Sequence, residues 1–341
     1  MLMDKEKNRI QLSSKPNGHL LVLGKSGMGK TFYICRKVEE EVENGHFIML
    51  FDFSSSYSNK ELERANFKYL DKIDILNPMQ DKILLTIDES KLTLTILDAL
   101  IKALHIGSYY QKKLLKEAIE TVKNRSNIIS LTDLKYCLED MDDEDRDTDS
   151  KKSIAHLLTR LEPYSDIENI IFSGEKDKPG IDHDKLIMLL QLSDFSELQR
   201  KFLTVLLSEI VWEQIRTKWW LGVDIVIFDE FQFMSIKTGT GLSSMLREGR
   251  KFGLAVYLSS QFVGNYDVEE MDTLMQCGNI LFFRPAVRDI KKTADMISLE
   301  NPIVWKRILE ELQVGEAILK GVYTINGTRK LLEDPVICCI M

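Results

Sequence analysis

The chain has 341 residues, of which 44% are hydrophobic, and a formal net charge of -8 at pH 7. This size suits one large α/β domain with an insertion, or two domains. No apolar run approaches the ~20 residues that a membrane-spanning helix needs, and the first ten residues lack the apolar core of a signal peptide. We therefore expect a cytoplasmic protein without membrane insertion.

The negative charge is concentrated in one segment. Residues 139–149 contain eight acidic residues against a single arginine, a local charge of -7, which leaves -1 for the rest of the chain. A run of this kind is typical of a solvated loop, and less often of a DNA mimic or a docking patch. The charge balance therefore neither supports nor excludes a nucleic-acid partner.

A phosphate-binding loop is the clearest motif. Residues 24–31 read GKSGMGKT and match G-x-x-x-x-G-K-[ST] in full, after the apolar run 20–23 and before a helical pattern that Gly45 ends. In such a loop backbone N–H groups and the helix N-terminus surround phosphate oxygens. Lys30 would reach the β- and γ-phosphates of ATP, and Thr31 would hold Mg²⁺. The expected nucleotide contacts are Gly24, Lys25, Ser26, Gly27, Met28, Gly29, Lys30 and Thr31.

A pair of carboxylates follows a second buried strand. Residues 223–230 read VDIVIFDE, and Asp229 at the strand end is placed to bind the Mg²⁺ shell. Glu230 then lies where a general base polarises the water that attacks the γ-phosphate. Acidic pairs also end strands as solvated turns, but the phosphate loop upstream favours ATP hydrolysis over binding alone.

Residues 246–261 (LREGRKFGLAVYLSSQ) form a third element, with a basic cluster, a glycine turn, an apolar strand and a terminal amide. Gln261 at the strand end is placed to contact the γ-phosphate. Arg250 or Arg247 would stabilise transition-state charge by reaching the γ-phosphate of a neighbouring subunit. The alternative for these arginines is ordinary ion pairing with Glu248 on a helix surface.

Short, nearly continuous apolar runs predict strands that are buried on both faces of a mostly parallel sheet. These runs are residues 20–23, 47–51, 186–190, 224–228, 255–258 and 280–283. Helical patterns separate them, which predicts a three-layer α/β core. Residues 316–325 and 336–340 flank the turn-like pair Asn326-Gly327 and predict a closing antiparallel element.

The pattern between residues 92 and 164 is helical, with apolar stripes such as Leu97, Leu100, Ile101 and Leu104. We therefore expect an all-helical insertion at residues 92–180, with the acidic run as one of its loops. Residues 1–91 and 181–341 would then be the first and second parts of the ATPase core.

Together these motifs resemble the HerA/FtsK superfamily of P-loop ATPases, and its HerA-like branch in particular. The segments that carry the resemblance are GHLLVLGKSGMGKT, FDFSSSYS, IVIFDEFQFM, REGRKFGLAVYLSSQ and NILFFRP. RLEPY, LLQLSDFSELQRKFL and the helical insertion look similar to the motor ATPases of conjugation and type IV secretion. The resemblance implies a RecA-like core and a hexameric ring, with ATP between subunits and DNA or another polymer moved through a central channel.

Two features depart from the HerA pattern. HerA proteins usually carry a β-barrel before the motor, whereas here about twenty residues precede the first predicted strand, so the resemblance implies a partner interface elsewhere. Ser55-Ser56-Tyr57 stands where HerA-like proteins often have Gly-Glu-Tyr. Lys237, beside the glycine-containing stretch 238–241, is a candidate DNA contact in a channel-facing loop, although an ordinary surface loop fits equally well.

Three functional hypotheses follow. The first is a HerA-like DNA translocase or helicase that works with a partner nuclease or effector. The second is an ATPase that energises a conjugation or protein-export complex through a secretion component. The third is a nucleotide-gated regulatory subunit of a defence or nuclease complex, with slow turnover. DNA-stimulated ATPase activity separates the first from the others, and ATP-dependent oligomerisation with very low turnover favours the third.

Overall fold

The computed structural model of the chain describes residues 2–15, 17–143, 147–174, 184–219, 222–261, 266–330 and 334–340. These residues form sixteen strands and eleven α-helices. The strands are β1 (Leu2–Asp4), β2 (Arg9–Leu12), β3 (Leu20–Leu23), β4 (Ile48–Asp52), β5 (Ile73–Leu76), β6 (Ile83–Thr86), β7 (Ile128–Ser130), β8 (Ile170–Ser173), β9 (Ile187–Gln191), β10 (Ile225–Phe228), β11 (Ala255–Ser260), β12 (Asn279–Phe283), β13 (Glu316–Gly321), β14 (Tyr323–Ile325), β15 (Thr328–Lys330) and β16 (Val336–Ile340). The helices are α1 (Lys30–Glu43), α2 (Asn59–Arg64), α3 (Leu92–Ala103), α4 (Tyr109–Arg125), α5 (Leu131–Asp143), α6 (Thr148–Leu161), α7 (Glu197–Thr217), α8 (Gly241–Glu248), α9 (Val268–Leu274), α10 (Ile290–Ile297) and α11 (Pro302–Glu311).

One large sheet organises the described part of the chain. Its thirteen strands follow the order β15-β14-β2-β1-β16-β13-β12-β3-β11-β10-β4-β9-β5. The strands from β12 to β5 run parallel, and those from β13 to β15 pair antiparallel. The predicted α/β fold class is confirmed, and all six predicted core strands are present.

The sheet is covered on both faces, and two of its inner strands, β3 and β10, are apolar and buried at every position. In β3, Leu20 and Val22 join an apolar cluster on one face, and Leu21 and Leu23 join the cluster on the other. Helix α1 packs on the first face, whereas α7 and the helices from α3 to α6 share the second cluster. Each fully buried aliphatic side chain contributes about 1.5–3 kcal/mol. This burial holds the three layers together.

The expectation of an all-helical insertion at residues 92–180 is wrong. The segment carries β7 and β8 as well as its helices, and β6 completes a separate sheet in the order β6-β8-β7. These strands are short and rich in isoleucine, and β8 pairs parallel with β6 and antiparallel with β7. The acidic run also differs from a simple loop, because α5 extends to Asp143 and α6 begins at Thr148. Residues 144–146 of that run lie outside the described residues.

The antiparallel side of the sheet joins the two ends of the sequence. The predicted antiparallel element is present, since β13 pairs with β16. The turn at Asn326-Gly327, with φ of 48° and 83°, connects β14 to β15, a strand that the sequence does not predict. Strands β1 and β2 were not predicted; β1 pairs with β16, and β2 pairs with β14. Residues from the chain's first twelve positions are thus part of the large sheet.

A buried carboxylate anchors the N-terminus of α8. Glu209 of α7 is 6% exposed, accepts a hydrogen bond from the backbone N–H of Gly241, and lies 2.8 Å from Lys102 Nζ of α3. A Cβ atom at Gly241 would lie 2.9 Å from the carbonyl oxygen of Ser208, so the backbones of α7 and α8 approach closely. Helix α8 is therefore held against both the core and the insertion.

Candidate nucleotide site

The phosphate loop lies between β3 and α1 at the carboxyl edge of the parallel strands. Gly24 has a φ of 152°, and a Cβ atom there would lie 2.5 Å from Phe283 Cβ of β12. Gly29, with a φ of 103°, precedes the first helical residue Lys30. Both positions require glycine for backbone reasons. The loop conformation is therefore determined by its sequence and its neighbouring strand.

Backbone hydrogen bonds tie the loop to the strands around it. The N–H of Gly24 donates to Ser260 O at 3.2 Å, and the N–H of Lys25 donates to Arg284 O at 3.0 Å. The N–H of Gly315 donates to Met28 O at 3.0 Å. The loop is thus attached to β11, to the end of β12 and to the start of β13.

Lys30 is buried at the start of α1. Its side chain donates to Lys25 O at 3.2 Å, and the residue is 7% exposed. Burial lowers the pKa of Lys30, while the carboxylates of Glu230 and Asp229 act in the opposite direction. The lysine therefore lies within electrostatic reach of both predicted carboxylates.

Asp229 ends β10 and is almost fully buried, at 2% exposure. Burial, followed by the charge of Glu230, raises the pKa of Asp229 to about 7. A divalent cation at this position would favour the ionised carboxylate, and hydroxyl and carboxylate oxygens are the ligands that Mg²⁺ prefers. The donor set of Asp229 and Thr31 thus fits Mg²⁺.

Two amides hold the carboxylate of Glu230. Gln261 Nε2 donates to Glu230 Oε1 at 2.9 Å, and Gln232 Nε2 donates to Oε2 at 2.5 Å. Ser260 Oγ donates to Gln232 Oε1 at 2.7 Å. Gln261 follows β11, which lies between β3 and β10, so its backbone lies between the strand that leads into the phosphate loop and the strand that leads to Glu230. Sequence reasoning named Gln261 but missed Gln232, although Gln232 lies only two residues beyond Glu230.

The turn that carries Glu230 is strained and firmly held. Glu230 has a φ of 54°, a left-handed conformation that costs a non-glycine residue roughly 1–2 kcal/mol. Phe231 is fully buried and stacks on Tyr266, with ring centroids 5.8 Å apart. The hydroxyl of Tyr266 donates to Phe231 O at 3.0 Å. The surrounding packing therefore compensates for the strain at Glu230.

Asp52 ends β4 beside β10 and organises the turn that follows. Its buried carboxylate accepts backbone N–H groups from Ser54 and Ser56 at 3.1 Å and from Tyr57 at 3.0 Å. Burial raises the pKa of Asp52, while these hydrogen bonds lower it. Ser55-Ser56-Tyr57, the segment that departs from the HerA pattern, is thus part of a compact turn that is hydrogen-bonded to Asp52.

The two candidate arginines lie away from the phosphate loop of their own chain. Arg250 belongs to the turn before β11. Strand β11 has six residues, spans about 20 Å and ends beside the phosphate loop. Arg247 Nη2 donates to Thr273 Oγ1 at 3.0 Å and lies 3.6 Å from Glu269 Oε1. The structure therefore assembles Lys30, Asp229, Glu230 and Gln261 at one edge of the sheet and places both arginines towards the other edge.

His19, just before β3, is hydrogen-bonded to β11, the strand that follows the arginine-bearing turn. Its Nδ1 accepts the N–H of Val256 at 2.9 Å, and its ring is 1% exposed. Burial, together with the smaller effect of the Arg250 charge, lowers the pKa of His19 to about 4. The ring is neutral at pH 7, in keeping with the acceptor role of Nδ1.

One family model matches more than half of the chain. Residues 2–211 match the family model described as the central domain of helicase HerA. The chain belongs to this family. The match contains the phosphate loop and the insertion, and ends before the strand that carries Asp229. A comparison with curated proteins gives no match.

Solved structures show the fold shared by this HerA-family chain. VirB4 of Thermoanaerobacter pseudethanolicus is 12% identical, with a TM-score of 0.70 over 99% of this chain and 95% of that one. The bacterial conjugative coupling protein TrwB, unbound, is 16% identical, with a TM-score of 0.66 over 95% and 84%. TrwB in complex with the ATP analogue ADPNP is 16% identical, with a TM-score of 0.62 over 92% and 85%. The chain is a RecA-like P-loop ATPase in fold.

Within the described ranges, no helix combines the length and apolar character that crossing a membrane would require.

Proposed function

We propose that this chain is the ATP-hydrolysing subunit of a cytoplasmic ring motor, with six subunits as the family resemblance implies. The observation that carries the proposal is the split between the two edges of the sheet. Lys30, Asp229 and Glu230 lie together at one edge. Arg250 lies in the turn before β11, about 20 Å away along that strand. A site that needs an arginine for transition-state charge is then completed by a neighbouring subunit.

Each residue of the site has a role in this proposal. Lys30 and the amides of the phosphate loop hold the β- and γ-phosphates of ATP, and Thr31 and Asp229 hold Mg²⁺. Bound Mg²⁺ neutralises developing phosphate charge. Glu230 accepts a proton from the attacking water, and Gln261 contacts the γ-phosphate.

The polymer that we propose is DNA, because the matched family is described as a helicase domain. A partner nuclease, effector or secretion component would complete the system. Lys237 is a candidate DNA contact; its side chain is 65% exposed and its Nζ lies 4.0 Å from Asp267. The alternative, an ATPase that energises a conjugation or protein-export complex, is supported by the fold shared with VirB4 and with a conjugative coupling protein.

Mixing two inactive variants tests whether sites are shared between subunits. Arg250→Ala and Lys30→Ala subunits are each expected to be inactive alone. In a randomly mixed 1:1 ring, about one site in four combines an intact phosphate loop with an intact arginine from its neighbour. We expect ATP hydrolysis to recover to roughly that fraction, measured after subunit exchange has been shown by fluorescence energy transfer.

Arg247→Ala is the matched control, because Arg247 already pairs with Thr273 and Glu269 of its own chain. We expect the Arg247→Ala ring to retain most of its turnover. If subunits exchange and the Arg250→Ala mixture stays inactive, Arg250 does not act between subunits and the shared-site proposal fails.

DNA binding is expected to depend on assembly and on salt. With a net charge of -1 outside the acidic run, few basic groups contact DNA in one subunit, and ring symmetry multiplies them. We expect measurable affinity mainly with a slowly hydrolysed ATP analogue, falling steeply with salt at about -0.9 in log K per neutralised phosphate. Fluorescence anisotropy and DNA-stimulated ATPase activity measure both effects.

Lys237→Ala should weaken binding and flatten the salt slope, whereas Lys60→Ala, on the exposed side of α2, should not. An assembled ring that neither binds DNA nor responds to it at low salt would contradict the translocase and favour the conjugation or protein-export ATPase.

A further inference from the structure

The two oxygens of the Glu230 carboxylate are held by amides with different surroundings. Oε2 accepts from Gln232 at 2.5 Å, and Oε1 accepts from Gln261 at 2.9 Å. Two donors on one carboxylate fix its plane and its direction. If one amide leaves its oxygen, that oxygen of Glu230 becomes available to the attacking water.

Gln232 is the fixed donor. Its Oε1 accepts from Ser260 Oγ at 2.7 Å, so its Nε2 is directed at Glu230. Its backbone belongs to the turn (Phe231–Phe233) in which Phe231 is buried and bonded to Tyr266. Ser260 is itself fully buried at the end of β11 and bonds the phosphate loop through its carbonyl oxygen. This chain of contacts leaves Gln232 little freedom.

Gln261 is the donor on the other oxygen, Oε1. It follows Ser260 at the end of β11, the strand between β3 and β10, so its backbone lies between the strand that leads into the phosphate loop and the strand that leads to Glu230. One Nε2 donor aimed at Oε1 can instead donate to a γ-phosphate oxygen. Oε1 then loses its amide and becomes the oxygen that faces the water.

We propose that Gln232 is a positioning residue for hydrolysis: fixed by Ser260, it holds Glu230 Oε2 so that Oε1 is presented to water when Gln261 turns to the phosphate. The proposal rests on the proposed function of Glu230 as general base. Oε1 accepts the water proton while the water oxygen bonds to the γ-phosphorus, and the bond from that phosphorus to the leaving oxygen of ADP breaks.

Gln232→Leu tests the proposal by removing the donor while keeping the side-chain size. We expect kcat for ATP to fall about 10- to 100-fold, as for the loss of a hydrogen bond to a charged group, with KM little changed. Ser260→Ala should lower kcat in the same direction but less, because it removes only the group that orients Gln232. Ser208→Ala, which removes a buried hydroxyl from α7, is the matched control and should leave kcat unchanged.

A double-mutant cycle separates positioning from a general structural role. If Gln232 acts through Glu230, Gln232→Leu should cause no further loss of turnover in a Glu230→Gln background. Losses that multiply instead would overturn the proposal, as would wild-type kcat in a folded Gln232→Leu protein. Failure of the proposed function looks different, because Glu230→Gln alone would then retain turnover.

Discussion

Lys30→Ala is expected to abolish ATP turnover while leaving the fold intact. The lysine supplies the positive charge next to the β- and γ-phosphates, and alanine cannot replace it. The fold should survive because burial already lowers the pKa of Lys30, which means that its charge is held at a cost in the folded protein. Hydrolysis of ATP and thermal unfolding of the same preparation measure the two effects.

Lys60→Ala provides the control, since Lys60 is an exposed lysine on α2. It should hydrolyse ATP at the wild-type rate. Wild-type turnover in a folded Lys30→Ala protein would show that the phosphate loop is not the hydrolytic site.

Glu230→Gln is expected to separate ATP binding from hydrolysis. Glutamine keeps the shape of the side chain but is a far weaker base, so turnover should fall by about 10²- to 10⁴-fold, as for a lost general base. ATP affinity should stay close to that of the wild type, because the phosphate loop and Asp229 are untouched. Single-turnover hydrolysis and titration with a fluorescent ATP analogue measure the two quantities.

A parallel loss of ATP affinity would assign Glu230 to metal binding or to structure. The melting temperature of Glu230→Gln is needed beside the kinetics, since the variant places a third amide among Gln261 and Gln232. A variant that is as stable as the wild type and yet inactive assigns the loss to chemistry.

The core strands were predictable because burial on both faces produces a recognisable local sequence pattern. Parallel strands between two helical layers have no polar alternation, and segments such as 224–228 read as short apolar runs between helices. The smaller sheet was harder to predict, since β6 and β8 have only three apolar residues each before a polar one and β7 has three residues in all. Runs of this length fit a buried helix or a strand equally well until their partners are known.

The candidate site shows the same division. The phosphate loop is contiguous in sequence, and the position of Asp229 follows from the strand before it, so both could be named from the sequence. The contact between Gln232 and Glu230 depends on the left-handed conformation at Glu230 and on burial of Phe231. No residue pattern specifies that turn, because tertiary packing stabilises it. The roles of the site residues and the sharing of sites between subunits remain predictions.

Strand β3 joins two parts of the molecule that serve different nucleotides in the proposed ring. One end continues into the phosphate loop, and His19 before the other end accepts the N–H of Val256 in β11, the strand that follows the turn carrying Arg250. The strand is buried throughout and paired on both sides, by β11 and β12, so it moves only as a rigid body. A shift of the loop on nucleotide binding would be carried to the arginine that serves the adjacent nucleotide. In such a ring, β3 would belong to two catalytic centres at once.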